Sequence, residues 1–171
     1  MQKIRSVLFT TSLSDHCREY FSFASMLARQ LKAKLFIVHV IKELQESYEG
    51  IAAALFGESR WRGLLIDQTA RTGIAGIERI SENDVIITTM RELLREASPG
   101  KSKDGLYENT FVVDSGNVAD TILEQAHSNH CDLIIMGMSK GYLSGVSSSS
   151  HIKSVIKNSQ IPVIVVPPFN I

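Results

Sequence analysis

Between residues 131 and 168 the chain reads CDLIIMGMSKGYLSGVSSSSHIKSVIKNSQIPVIVVPP. A short apolar run at 133–136 stops at Gly137. A polar loop rich in Gly and Ser follows, then an amphipathic segment and a second apolar run at 163–166. Short β-branched runs without alternation are the mark of buried strands in a parallel sheet. Parallel neighbours need a crossover, normally a helix. The stretch therefore predicts strand, phosphate-sized loop, helix, strand: the last βαβ unit of an α/β domain, with a candidate ligand site in its loop.

The rest of the chain reads in the same units. Residues 7–11 form a first strand, and Ser12-Leu13-Ser14-Asp15 a turn rich in helix N-cap types. Cys17, Tyr20, Phe21, Ala24, Leu27, Ala28 and Leu31 then recur at helical spacing on one face, and residues 34–40 form a second strand. A strand–helix–strand with short connections is right-handed by default. Residues 110–113 predict a third strand and 114–117 its turn. Val118, Ala119, Ile122, Leu123 and Ala126 mark a helix face, 133–136 a fourth strand, Ile152, Val155 and Ile156 the last helix, and 161–166 a fifth strand.

The middle is less regular. The expectation is a short helix near 44–56, a loop, and a long helix ending near Glu96 that uses Ile74, Ile77, Ile80, Met90, Leu93 and Leu94. Residues 85–89 compete with strand propensity. Gly57, Gly63, Gly73 and Gly76 interrupt any long helix, and residues 98–105 read as a loop. The whole predicts one domain over 1–171: a three-layer α/β/α sandwich with a five-stranded, mostly parallel sheet and a divergent segment at about 44–107.

Charge narrows the function. Eighteen Lys and Arg balance eighteen Asp and Glu, which argues against nucleic-acid binding by bulk charge. No stretch approaches the ~20 apolar residues of a membrane span. The opening MQKIR lacks the apolar core of a signal peptide. With only two cysteines, Cys17 and Cys131, far apart and in no metal-like spacing, the expectation is a reduced, cytoplasmic protein, both thiols serving as small buried filler.

Other chemistry-bearing residues have structural readings. His39 lies on a buried strand and is expected to be a satisfied core histidine. His127 and His130 flank a helix end, where they face its negative pole; no third ligand makes them a metal site. Asp15 and His16 read as a solvated helix cap, and His151 as solvent-facing. Trp61 between Arg60 and Arg62 reads as a surface or partner patch. Asp67, Glu78 and Asp84 show no paired-carboxylate spacing suited to acid–base work. Neither a G-x-S-x-G elbow nor a Walker loop occurs.

Four local words together resemble one family. Residues 6–14, SVLFTTSLS, are similar to an opening I-L-V-P-T-D-x-S; His39-Val40 closes the second strand as H-V does. DLIIMG at 132–137 matches D-L-I-V-M-G, and PVIVV at 162–166 matches P-V-L-V-V. The chain thus resembles a universal stress protein domain over 3–43 and about 108–167.

The resemblance implies a Rossmann-like fold of the adenine-nucleotide-alpha-hydrolase type, a non-enzymatic stress-response role with weak nucleotide hydrolysis left open, and a homodimer through the C-terminal edge strand. In the nucleotide-binding branch the loop reads G-x-x-G-x9-G-[ST]. Its glycines admit phosphate to the backbone, and its amides and hydroxyl donate to the anion. Gly137 matches the first glycine. Lys140 stands at the second, with Gly141 available by a one-residue shift. Counting back from Pro162 puts Ser149 at the third glycine and Ser150 at the hydroxyl. Ser12 replaces the first strand's Asp, and Val40 fits the adenine side.

The implied nucleotide-site residues are therefore Thr11, Ser12, Val40, Met136, Gly137, Lys140, Gly141, Ser149 and Ser150. The implied ligand is ATP or AMP, with Mg²⁺ as a possible companion. The alternative reading is a dimeric scaffold or partner-binding protein that does not bind nucleotide, favoured by the replacements at Ser12 and Lys140.

Overall fold

Five runs rich in β-branched and aromatic residues form the strands: β1 (Ser6–Thr10), β2 (Lys34–Ile41), β3 (Asn109–Ser115), β4 (Leu133–Gly137) and β5 (Val163–Val166). All pair in parallel, in the order β3-β2-β1-β4-β5. The computed structural model describes residues 3–14, 16–41, 47–73, 80–98, 109–138 and 148–169. Its helices are α1 (Cys17–Leu31), α2 (Tyr48–Phe56), α3 (Glu58–Thr72), α4 (Glu82–Ala97), α5 (Val118–Ser128) and α6 (Ser148–Asn158).

The period-2 geometry of a strand sorts side chains between two cores. Val7, Phe9, Leu35, Ile37, Leu133 and Ile135 pack under α1, α2, α3 and α4. Leu8, Phe36, Val38, Ile134 and Met136 pack under α5 and α6. Each large apolar side chain fully buried here contributes about 1.5–3 kcal/mol. The three layers follow from connectivity. Strand order runs outward from β1 to β3, then crosses back to β4 and β5, so right-handed crossovers place the two sets of helices on opposite faces.

Two stitches register β4 on β1. Asp132 Oδ2 accepts from the backbone N–H of Arg5 (2.8 Å) and of Ser6 (3.1 Å) and meets Ser6 Oγ at 3.2 Å. The Ser6 hydroxyl also donates to the His130 carbonyl, 2.6 Å. The Asp that opens DLIIMG is thus a structural clamp at the N-terminal edge of the sheet.

The middle segment departs from expectation. In place of a loop and one long helix there are two helices, α3 and α4. Gly57 (φ 83°) separates α2 from α3 and Gly73 (φ 68°) ends α3 in the left-handed region, whereas Gly63 lies inside α3. Ile74 and Ile77, assigned to the long helix, lie outside the described residues, as do 99–105 of the expected loop. Residues 85–89 are helical despite their strand propensity. Ser81 caps α4 in a reciprocal capping box with Asp84, and Val85, Ile86, Met90, Leu93 and Leu94 supply an apolar stripe that packs on the sheet. Capping and burial outweigh a propensity worth under ~1 kcal/mol per residue.

Trp61 is not a surface patch. It is 4% exposed and stacks on Phe56 with centroids 6.3 Å apart, while Arg18 and Arg60 lie over the same Phe56 ring. Arg60 pairs with Glu92 and Glu96, and Glu92 also takes Arg95 at 2.7 Å. Hydrogen bonds from Arg95, then from Arg60, outweigh burial and hold the Glu92 carboxyl below its ordinary range.

Candidate functional site

The strand order reverses at β1, between β2 and β4. In open α/β sheets this switch point, beyond the strand C-termini, opens a crevice suited to ligands. A cavity of about 100 Å³ lies there. Val40, Val118, Ile122, Met136 and Ile152 supply apolar wall, Thr10, Thr11, Ser12 and Ser14 supply hydroxyls, and Cys17, Tyr20, His39, Gly137 and His151 complete the lining. No Asp, Glu, Lys or Arg is among the described lining residues.

The turn after β1 is internally wired. Thr11 N–H donates to the Val38 carbonyl (3.0 Å) and Thr11 Oγ1 accepts from Leu13 N–H (3.1 Å). The Ser12 and Ser14 hydroxyls meet at 2.7 Å. Leu13 is 3% exposed and sits at φ 55°, a conformation uncommon for a branched side chain and here held by burial. His39 is 1% exposed. Its Nδ1–H donates to the Thr11 carbonyl at 2.8 Å, and its Nε2 meets the Tyr48 hydroxyl at 2.8 Å. It is the satisfied core histidine its strand position predicts, and it ties α2 to the floor of the cavity.

Tyr20 closes the β4 side. It is 6% exposed, and its ring lies so close to Gly137 that a Cβ there would stand 2.6 Å from Cε2 and 2.9 Å from Cγ. Its hydroxyl donates to the Met138 carbonyl. The Met138 N–H donates to the Val166 carbonyl at 2.8 Å.

Of the residues the sequence nominates, Thr11, Ser12, Val40, Met136 and Gly137 come together around this one cavity. Lys140 and Gly141 lie outside the described residues. Ser149 lies on α6, and Ser150 is exposed on its first turn and absent from the lining. Because α6 begins at Ser148, neither Ser149 nor Ser150 is its N-cap; His151 and Ile152 reach the cavity instead. His151 is half-buried rather than solvent-facing. His16 takes the N-cap position of α1 at φ 67° without a side-chain cap bond. Its Nε2 is buried without a hydrogen-bond partner among the described residues, so it is not a solvated cap.

Tyr20, His151, Val118 and Ile122 were not nominated. Their only sequence signal is helical position: Tyr20, Val118 and Ile122 read as ordinary core residues on their helices. The two cysteines are free and buried, and burial pushes each thiol up to about 11, which makes them poor nucleophiles at neutral pH. His127 and His130 line a second cavity of about 410 Å³ at the opposite edge of the sheet, with Cys131 and residues 158–161. Among the described residues no three His, Cys, Asp or Glu are grouped to hold a metal, and no helix is long and apolar enough to cross a membrane.

A parallel five-stranded sheet with a cavity of apolar wall and hydroxyls at its switch point defines a Rossmann-like α/β protein. The universal stress protein family model matches residues 3–167, and the chain belongs to that family. Solved structures share the fold at low identity. A universal stress protein in complex with cAMP aligns with TM-score 0.58 and 15% identity, covering 98% of this chain and 100% of that one. The Archaeoglobus fulgidus universal stress protein in complex with dAMP aligns with TM-score 0.54 and 15% identity, covering 96% and 98%. UspA from Lactobacillus plantarum aligns with TM-score 0.54 and 19% identity, covering 97% and 99%. No curated protein matches the chain at a significant level.

Proposed function

We propose that this protein is a non-enzymatic regulatory module that binds an adenine nucleotide at the switch-point cavity and acts in stress adaptation. The observation that carries the reading is the cavity itself: an apolar slot of Val40, Val118, Ile122, Met136 and Ile152 beside the hydroxyls of Thr10, Thr11, Ser12 and Ser14. Apolar walls suit a flat heterocycle, and a few convergent hydroxyls suit a sugar. Proteins of the same fold in complex with cAMP and dAMP support adenine as the base. The described lining offers no carboxylate for Mg²⁺, which usually reaches a nucleotide site through one or two carboxylates. Two free, buried thiols suit a reducing cytoplasm.

Thermal unfolding with AMP and with ATP, each with and without Mg²⁺, tests this. Ligand at about 100-fold over its Kd should raise the melting temperature by about 5–10 °C. No shift at millimolar adenine nucleotide would overturn the reading.

A second reading, a dimeric scaffold, rests on the edge strand β5. Its outer side faces no strand among the described residues, and Ile156 and Phe169 near it are 50% and 43% exposed. Pairing of two copies along β5 would cover that edge.

A further inference from the structure

We propose that the seam between α3 and α4 is a second ligand site. It takes a small phosphate, free or carried as a phosphate monoester, on the guanidinium groups of Arg71, Arg91 and Arg95 and the hydroxyl of Thr88. The site shares no described residue with the switch-point cavity and does not rest on the adenine reading.

Three observations carry it. The first is a polar seam where helix packing calls for an apolar one. α3 contributes Leu64, Asp67, Gln68 and Arg71, and α4 contributes Thr88, Arg91, Glu92 and Arg95. Both sets repeat at i, i+3, i+4, i+7, the spacing of one helix face. All but Leu64 are polar or charged, and a cavity of about 330 Å³ lies between them. The second is a surplus of positive donors, three guanidinium groups against two carboxylates. Arg71 Nη2 pairs with Asp67 on its own helix at 2.7 Å. Arg95 gives Nε (2.9 Å) and Nη2 (2.7 Å) to Glu92 on its own helix. A guanidinium carries five N–H donors, so both keep donors for a further acceptor. Arg91 is held by neutral groups: its Nη1 donates to Gln68 Oε1 at 3.4 Å, and its guanidinium lies over Phe111, 5.7 Å from the ring centroid. The third is Thr88. It lines the cavity, is 6% exposed, and has its Oγ1 buried without a hydrogen-bond partner among the described residues. Its neighbour shows the usual solution in a helix, since Thr89 Oγ1 donates back to the Val85 carbonyl at 2.8 Å. A buried hydroxyl calls for a partner, and an anion in the seam supplies an acceptor.

The ligand class follows from the donors. Arginine meets phosphate oxygens in a bidentate fork. Donors that come from two helices suit a tetrahedral group with oxygens on several sides better than a flat carboxylate. The side chains of Arg71 and Arg95 are 62% and 70% exposed, so the seam is open to a ligand from solvent.

The test is an NMR titration of the ¹⁵N-labelled chain with inorganic phosphate and, separately, with glycerol phosphate. Sodium chloride at equal ionic strength is the blank. The expected result is saturable shifts at the Nε–H signals of Arg71, Arg91 and Arg95 and at the amides around Thr88. Arg91→Gln should weaken the binding at least about tenfold. Thr88→Val, which keeps the shape and removes the hydroxyl, should weaken it about threefold or more. Saturation by either probe upholds the site, and the tighter of the two tells whether the phosphate is free or esterified. Shifts no larger than those in chloride would overturn the proposal, as would shifts confined to the switch-point residues. An affinity that Arg91→Gln leaves unchanged would overturn it too, and one that Thr88→Val leaves unchanged would overturn the part given to the hydroxyl. The amide spectrum reports whether each variant folds; should one fail, the wild-type shift map decides alone.

Discussion

Gly137 shows how one residue serves packing in a place where a motif suggests ligand binding. Its side-chain direction points at the α1 face, where Tyr20 lies against it. Gly137→Ala forces the ring aside and breaks its bond to the Met138 carbonyl. The expected cost is about 1–3 kcal/mol in urea unfolding, as for other overpacked cores. In the Tyr20→Ala background the same change should cost far less, because the clashing partner is gone; equal costs in the two backgrounds would show that the two residues are not coupled. The residues the sequence could nominate were those with a motif to stand in. Thr11, Ser12, Val40, Met136 and Gly137 sit at strand ends, and strand ends are legible. Tyr20 was legible only as a core residue, because its contact with Gly137 joins positions far apart in the chain.

At the scale of elements, Asp132 is the stitch between β4 and β1. Hydrogen bonds from Arg5 N–H first, then from the Ser6 backbone and hydroxyl, hold its carboxyl below the ordinary range against a smaller opposing effect of desolvation. A carboxyl with a depressed folded pKa stabilises the fold above its unfolded pKa and loses that contribution as pH falls through the folded value. Asp132→Asn should therefore destabilise by about 1–2 kcal/mol at neutral pH. The difference from wild type should shrink as pH drops below about 4; urea midpoints measured across pH 3–7 check this, and a pH-independent difference would contradict it. The middle helices teach the opposite lesson about legibility. α4 was obscured by a β-branched stretch, and the boundary between α3 and its neighbours depends on which glycines adopt positive φ. Gly57 and Gly73 do, while Gly63 stays helical. Sequence alone ranks these glycines equally; in the fold, the stacking of Trp61 on Phe56 spans the Gly57 turn.

For the whole molecule, the question is what covers β5. The carbonyls of Pro162 and Val166 accept from Ile134 of β4 and from Met138 just beyond it. By the alternation of a strand, the backbone polar groups of Val163 and Val165 face outward. Val165→Pro removes an outward N–H without touching those two bonds to β4. If copies of the chain pair along β5, sedimentation should show wild type as a dimer and this variant as a monomer; an identical mass for both would place any association elsewhere.

The chain order of the strands, and of the helices outside the middle segment, was set by the sequence alone, because apolar periodicity is a local property and parallel strands demand crossovers. Family membership followed from the same local words, DLIIMG and PVIVV among them. What the tertiary structure decided is who meets at the switch point. Strand pairing brings Thr11, Val40 and Gly137 to one edge, and helix packing adds Tyr20, Val118, Ile122 and His151. Those contacts depend on how helices lie on the sheet, which no local pattern encodes. That is why a loop that reads as a phosphate cradle begins, in three dimensions, beside a tyrosine that fills its first glycine.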